Sequence, residues 1–365
     1  MAAKAVAIVG GGVVGVAVGH ALARRGVGTV VLEAQDDLAL AASGTNSGIL
    51  HTGFDSTPGE LETRLILRSA ALRDAVLDEL AIPVLRCGAV LTPHSGDDAR
   101  TVAALAGGAR ANGVEVHLRD DGALEVPGET VTDPVAYTRA LAAAAGEVRT
   151  GARVERITRA GGRLVVGLAG GDEVAADAVV NCAGLHADEV ARMAGDESLE
   201  IYPRKGEFFV FDPPDGRPLE RILLPVPSKR TKGVLVFPTL DGRIVAGPTA
   251  HDQEDKDDWS VRAEARGEVM AKAVAVLASL EGAEPVFAYA GLRPAGRAVN
   301  YVIGPSRACP GLINVAAIRS TGLSASLGIG EHVARLLAEQ GIVRLPGPSD
   351  VPWWQRTARS KAGVA

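Results

Sequence analysis

Two stretches of this sequence combine residue types that could do chemistry with spacings that would make it work. The first is Gly10-x-Gly12-x-x-Gly15, followed by a carboxylate at Glu33. Gly10 permits a tight turn, Gly12 lets the backbone approach a pyrophosphate, and Gly15 lets a helix pack close to a strand. The free N–H groups and positive dipole end of the next helix would face the phosphates. Glu33 can accept hydrogen bonds from a ribose diol, and its charge disfavours a 2′-phosphate there. The second stretch is GTNSGILHTG, residues 44–53. It has no clean apolar period, and its glycines, hydroxyls, Asn46 and His51 suit neither helix nor strand on propensity. Further on stand two arginines, Arg293 in GLRPAG and Arg319 in IRSTG. Histidine titrates near working pH and suits a general base; arginine presents a planar fork that grips a carboxylate in bidentate fashion. Each also has a structural reading: a histidine bonded to a backbone carbonyl, a salt bridge between domains, a loop cap.

The elements that must position these residues are legible nearby. Ala5–Val9 is a short apolar run of the kind a buried parallel strand shows. A helix pattern runs from the glycines through Ala23 and ends at Arg24–Gly26; a second strand, Thr29–Leu32, delivers Glu33. Strand, glycine turn, helix, strand and acid within about thirty residues is the context that makes the glycine motif specific. Strands are expected at Ala178–Cys182, leading through Ala183 and Gly184 into a helix, and at Leu312–Ala316, followed by a loop at Ile318–Thr321 and a helix starting near Gly322–Ser324. Pro134–Ala145 reads as a helix capped by Asp133, and Ser260–Leu280 as one amphipathic helix. GEFFVFD, KGVLVFPT and GRIVAGPTA read as strands, with Asp241-Gly242 as a turn. The acidic run HDQEDKDDW reads as a solvated loop.

Composition narrows the function classes. With 47% apolar and 22% charged residues over 365 positions, the chain is globular and long enough for two cores. A net charge of −6 argues against a general nucleic-acid binder. Cys87, Cys182 and Cys309 lie far apart, so neither a disulfide framework nor a metal or iron–sulfur site is expected, and a cytoplasmic setting fits. No apolar run is long enough to span a membrane. Trp353 and Trp354, followed by Arg356, Arg359 and Lys361, leave peripheral membrane contact or a partner open.

Along most of its length the chain resembles the D-amino-acid-oxidase-like superfamily of FAD oxidoreductases. The resemblance rests on Gly10, Gly12, Gly15 and Glu33 together with SGTNSGILH, ADAVVNCAGLHAD, GLRPAG and NVAAIRSTGLSAS. NSGILHTGFDSTPGEL is similar to the L-2-hydroxyglutarate dehydrogenase pattern, while KGVLVFPTLDGRIVAGPTA and IRSTGLSASLGIGEHVA look more like FAD-dependent glycerol-3-phosphate dehydrogenases. The fold so implied is α/β: a Rossmann-like FAD-binding domain, roughly residues 1–80, 134–200 and 286–345, with a second, mostly antiparallel β-sheet substrate domain, 81–133 and 201–285, and a C-terminal tail, 346–365. The resemblance implies FAD contacts at Gly10, Gly12, Val13, Val14, Gly15, Glu33, Ala34, Ser43, Gly44, Thr45, Asn46, Ser47, Val154, Ala183, Gly184, Arg293, Ser320, Thr321, Gly322, Leu323 and Ser324, and because His51 is not in an obvious linkage motif the FAD is expected to be noncovalent. Ser43–Gly48 would run along the pyrophosphate towards the isoalloxazine ring, because glycine backbone can pass close to a cofactor.

The same resemblance implies catalytic roles for His51, Arg293 and Arg319. His51 would take a proton from a substrate hydroxyl as hydride leaves for flavin N5, and Arg293 would hold a substrate anion. Lys205 and the cluster Lys229, Arg230 and Lys232 are further candidate anion contacts, and Tyr289 a candidate cavity wall. The expected partner is a small anionic substrate, a 2-hydroxy acid or glycerol 3-phosphate. The electron acceptor stays open between oxygen, a quinone and a partner protein, because the cysteine-rich domain common in the glycerol-3-phosphate branch has no counterpart in these residues. Amine oxidation, and a flavin-bearing subunit of a larger electron-transfer complex, are the alternatives. An NAD-only dehydrogenase would leave the later motif blocks unexplained.

Overall fold

The structure is a computed structural model and describes residues 4–227, 233–297 and 299–344. Its α-helices are α1 Val13–Ala23, α2 Leu61–Glu79, α3 Gly96–Ala111, α4 Pro134–Ala143, α5 Ala187–Met193, α6 Ala265–Val276 and α7 Gly322–Glu339. None of them is long and apolar enough to cross a membrane.

One eight-stranded sheet has a parallel centre. Its strands lie in the order Leu312–Ala316, Glu173–Asn181, Lys4–Val9, Thr29–Leu32 and Glu147–Arg149. Glu173–Asn181 is long enough to serve two neighbours on one side. Its first half takes Arg163–Leu168 in an antiparallel hairpin with Val154–Ala160, and its second half takes Leu312–Ala316. Strand alternation decides which layer each side chain joins. Val6 and Ile8 pack in one core with residues of α1, α4 and α7, while Ala7 and Val9 pack in another with Val190 of α5 and the hairpin. Both faces are therefore covered, which is why these strands read as continuous apolar runs.

The glycine turn follows from this packing. Gly10 has φ +104°, and a Cβ there would lie 2.4 Å from the Cys182 carbonyl oxygen. The chain leaves the Lys4–Val9 strand across the end of its neighbour, and only glycine fits. The Asp133 carboxylate caps α4 by accepting from the Val135 and Ala136 N–H groups at 2.8 and 3.0 Å, with Pro134 at the first helical position.

A nine-stranded sheet is the second large sheet. It is antiparallel except where Ile222–Leu224 runs parallel to Ala89–Leu91. Its longest pairing sets Ile201–Phe211 against Phe287–Gly296 over ten residues, with Arg204 directly opposite Arg293. One face packs on α6 through Phe209, Phe211 and Ile244; the other packs on α3 through Ile222, Leu91 and Leu124. A small three-stranded sheet joins Ile49–Leu50, Thr130–Thr132 and Val84–Leu85.

Two expectations change. The amphipathic pattern over 260–280 forms a shorter helix, α6, followed by a 3₁₀ turn at Ala278–Leu280, because Leu277 adopts an extended conformation (φ −138°, ψ 95°). The acidic run 251–259 is more than a solvated loop. His251–Asp252 pairs with the Ile201–Phe211 strand, and Lys256 hydrogen-bonds to Asp188 at 2.8 Å and Glu189 at 2.9 Å on α5. The tryptophans at 353 and 354, the basic residues near them and the cluster at 229–232 lie outside the described residues.

Candidate active site

Two cavities open along the carboxyl ends of the parallel strands, where ligands of open α/β sheets bind. The first has a volume of about 480 Å³ and is lined by the ends of three strands, at Val9, Glu33 and Ala316, by the glycine turn and by the start of α7. The second, of about 490 Å³, lies between the nine-stranded sheet, at Phe208, Phe237 and Gly291, and the segments 45–55 and 319–321. Ala42, Asn46 and Arg319 line both, so the two form one trough.

The first cavity suits a dinucleotide. Gly12 precedes α1 as its N-cap and has no side chain of its own to cap the helix. A Cβ on Gly12 would sit 3.0 Å from the Ser43 hydroxyl on the cavity wall. Ser43 accepts from the Val13 N–H at 2.9 Å, and Glu33 accepts from the Gly11 N–H at 2.6 Å and the Gln35 N–H at 3.0 Å. Ser43 and Glu33 thus fix the turn from opposite sides. The start of α7 also opens on the trough without a side-chain cap. Two helix N-termini aimed into one long groove, with a carboxylate at the second strand's end, match the charge pattern of a dinucleotide with an electron-rich ring.

The sequence-derived candidates fall into groups. Gly10, Gly12, Val13, Val14, Glu33, Ala34, Ser43, Val154, Ala183, Gly184, Gly322 and Leu323 line the first cavity. Thr45, Ser47, His51, Arg293, Ser320 and Thr321 line the second, and Asn46 and Arg319 line both. Gly15, Gly44 and Ser324 line neither. A Cβ on Gly15 would lie 1.9 Å from the Gly10 carbonyl oxygen, and one on Gly44 would lie 2.0 Å from that of Ala39. The Ser324 hydroxyl accepts from the His51 N–H at 2.9 Å and donates to the Ile49 carbonyl at 3.2 Å. These three hold the backbone that carries the site.

His51 enters the second cavity from the end of the Ile49–Leu50 strand. Its Nδ1 lies 2.8 Å from Oε2 of Glu129, whose side chain is fully buried. The other carboxylate oxygen, Oε1, accepts from the Thr52 N–H at 2.6 Å and the Thr52 hydroxyl at 2.8 Å. Arg73 of α2 donates to the Leu50 carbonyl at 2.7 Å and the Gly128 carbonyl at 2.8 Å, tying together the residues that precede His51 and Glu129.

Among the described residues, three guanidinium groups reach the same cavity from different elements. Arg204 pairs with Asp252 at 3.3 Å, and Arg319, in a left-handed conformation (φ +54°), pairs with Glu62 at 3.3 Å. Glu62 also accepts from the Thr321 hydroxyl at 2.7 Å and the Asn300 amide at 2.5 Å. Arg293 differs from both. Its one hydrogen bond among the described residues is to the Thr249 carbonyl, at 3.1 Å. Burial, then the charge of Arg204, pulls its pKa down to about 10, against the opposing effect of Asp252. It remains a cation at neutral pH, with donors to spare and no carboxylate in contact among the described residues. Space for it comes from Gly206, where a Cβ would lie 1.9 Å from Arg293 Nη2. Phe208, Leu224, Leu235 and Phe237 make the apolar wall.

Lys205 is not an anion contact. Its ammonium is buried and pairs with Asp258 at 2.7 Å, an ion pair that holds the 251–259 segment. Tyr289 stacks on Phe208, centroids 5.0 Å apart, behind the cavity wall. Sequence reading missed Glu129, Glu62, Arg204 and Gly206. Gly206 carried a signal, since a glycine inside a strand often marks a close approach. Glu129 carried none, because nothing in PGETVT singles it out.

Comparison with known proteins bears on the family and the fold. A family model described as "FAD dependent oxidoreductase" (DAO) matches residues 5–336. The chain is 29% identical over 354 residues to a glycerol 3-phosphate dehydrogenase of Caloramator mitchellensis, covering 91% of this chain and 73% of that one. It is 28% identical over 279 residues to the mitochondrial L-2-hydroxyglutarate dehydrogenase of Bos taurus, covering 67% and 60%. Among solved structures it superposes with TM-score 0.85 on dithionite-reduced L-alpha-glycerophosphate oxidase of Mycoplasma pneumoniae with FAD bound, at 24% identity and covering 94% and 96%.

Proposed function

The chain belongs to the DAO family of FAD dependent oxidoreductases, and on that premise we propose that it oxidises the CH–OH group of a small anion, glycerol 3-phosphate or a 2-hydroxy acid such as L-2-hydroxyglutarate. The observation that carries this reading is the pairing of a carboxylate-bound histidine with an arginine that, among the described residues, touches no carboxylate, both lining one cavity next to the dinucleotide groove.

The residues divide the work. Ser43, Glu33 and the N-terminus of α1 hold the dinucleotide end, and the turn before α7 holds the ring end. Arg293 binds the anionic group of the substrate, because a half-buried guanidinium with spare donors gains most from a charged acceptor. Arg204 and Arg319 add positive potential that draws anions into the cavity. His51 accepts the hydroxyl proton as the carbon is oxidised. The apolar wall keeps water away from the reacting carbon. FAD, when bound, would supply the electron sink for this oxidation, a hydride acceptor at flavin N5. A histidine fixed by a buried carboxylate favours alcohol over amine substrates, because a neutral amine has less need of a strong base.

Anaerobic titration of the purified flavoprotein tests the assignment. Bleaching of the flavin by glycerol 3-phosphate or L-2-hydroxyglutarate, and not by glycine, is the expected result. Bleaching by glycine alone moves the assignment to amine oxidation.

A further inference from the structure

We infer that Glu129 is the positioning residue of the reaction: it fixes the tautomer of His51 so that the proton sits on Nδ1 and Nε2 is the unprotonated nitrogen. This inference rests on the reading of His51 as the base.

The placement comes from strand register. Ile49 pairs with Val131 and Leu50 with Thr130, so the next step of the same antiparallel ladder sets His51 opposite Glu129. The two side chains meet at 2.8 Å although the residues are 78 apart in sequence. Thr52 supplies two donors to Oε1, and that leaves Oε2 to accept from His51 Nδ1. A carboxylate has no proton to give at neutral pH, so Nδ1 must carry the hydrogen. In the neutral ring, Nε2 is then the lone-pair nitrogen that a general base needs. As the ring takes up the substrate proton, the buried negative charge stabilises the cation that forms.

The same geometry dictates what a near-isosteric change does. In Glu129→Gln, the Thr52 backbone N–H requires the amide oxygen on its side, because an amide nitrogen there would face another donor. The amide nitrogen then points at His51 and donates to Nδ1. The proton is forced onto Nε2, and the base is blocked without loss of packing. Wrong-tautomer and base-removal effects run to roughly 10²–10⁴-fold.

The test uses the FAD-loaded enzyme and whichever of glycerol 3-phosphate or L-2-hydroxyglutarate reduces it. Rapid-mixing measurements should show the Glu129→Gln reduction rate falling by about 100-fold or more, with FAD content and substrate Kd within threefold of wild type. The double variant with His51→Gln should be no slower than His51→Gln alone, because Glu129 acts through His51. A Glu129→Gln enzyme that reduces at the wild-type rate, or a loss that multiplies with that of His51→Gln, overturns the inference. If His51→Gln itself reduces at the wild-type rate, the base reading falls, and the role of Glu129 falls with it. If His51→Gln is slow while Glu129→Gln is fast, only the inference about Glu129 falls. Should Glu129→Gln fail to fold, ¹⁵N spectra of histidine-labelled wild type decide the matter without a substrate. The His51 resonance, assigned by its loss in His51→Gln, should report a protonated Nδ1 and a bare Nε2. The opposite tautomer overturns the inference.

Discussion

Replacing Gly206 with alanine should cripple substrate binding while leaving the fold and the cofactor alone. The new methyl group would lie 1.9 Å from Arg293 Nη2 and 2.7 Å from Cζ, with Pro248 Cβ at 3.0 Å. The atoms that clash most are the tip of a flexible side chain, so Arg293 moves and the strand does not. To reach an ordinary contact of about 3.5 Å the guanidinium must retreat by roughly 1.5 Å. That breaks its 3.1 Å bond to the Thr249 carbonyl and takes the fork out of line with any bound anion. A hydrogen bond to a charged group is worth about 1.5–3 kcal/mol. At about 1.4 kcal/mol per factor of ten, kcat/KM for the anionic substrate should fall by roughly 10–100-fold. The loss should sit mainly in KM, since the anion is held in ground state and transition state alike. The assay is anaerobic flavin reduction over a range of substrate concentrations, with flavin absorbance and Tm as controls. An unchanged KM, with Tm also unchanged, would remove Arg293 from anion binding. A large drop in Tm would instead mean that the strand yields before the side chain does.

Two other outcomes follow from the geometry. Gly10→Ala sets a Cβ against backbone, 2.4 Å from the Cys182 carbonyl, at a φ of +104° that only glycine adopts readily. No flexible tip can yield, so the purified protein should hold little or no FAD and melt several degrees lower, read by absorbance and thermal unfolding. Lys256→Ala should destabilise the enzyme at neutral pH by about 1–3 kcal/mol, because the nearly buried Asp188 carboxylate loses its ammonium. Burial raises the Asp188 pKa, but the Lys256 hydrogen bond and charge, the Ile201 N–H and Arg192 outweigh it and hold the pKa below the usual value. Stability from a depressed carboxyl is present above its unfolded pKa and is lost as pH falls through the folded one. Wild type and Lys256→Ala should therefore differ in Tm at neutral pH, and the difference should begin to shrink only as pH falls below about 4 and close at the depressed folded pKa; a difference that stays constant as the pH is taken through and well below that range would refute the linkage.

The groove proposed for the nucleotide was legible as structure in the sequence because its constraints are local. A buried parallel strand needs a continuous apolar run, and the turn after it needs Gly10, so Lys4–Val9, α1, Thr29–Leu32 and Glu33 follow within one stretch of chain. The same holds for the Leu312–Ala316 strand and α7, and for α4 with its Asp133 cap. His51 and Arg293 could be singled out as chemical types in distinctive blocks. Their surroundings could not, because those depend on the register of strands far apart in sequence. Only the antiparallel pairing of Ile49–Leu50 with Thr130–Thr132 brings Glu129 to His51. Only the pairing of Ile201–Phe211 with Phe287–Gly296 brings Gly206 and Arg204 to Arg293. Lys205 shows the same limit from the other side. On a strand it could face a ligand or a partner, and the tertiary structure gives it Asp258. Local sequence thus determined the elements and the cofactor's cradle, whereas long-range pairing decided which charged groups meet, and so which remain to meet a substrate.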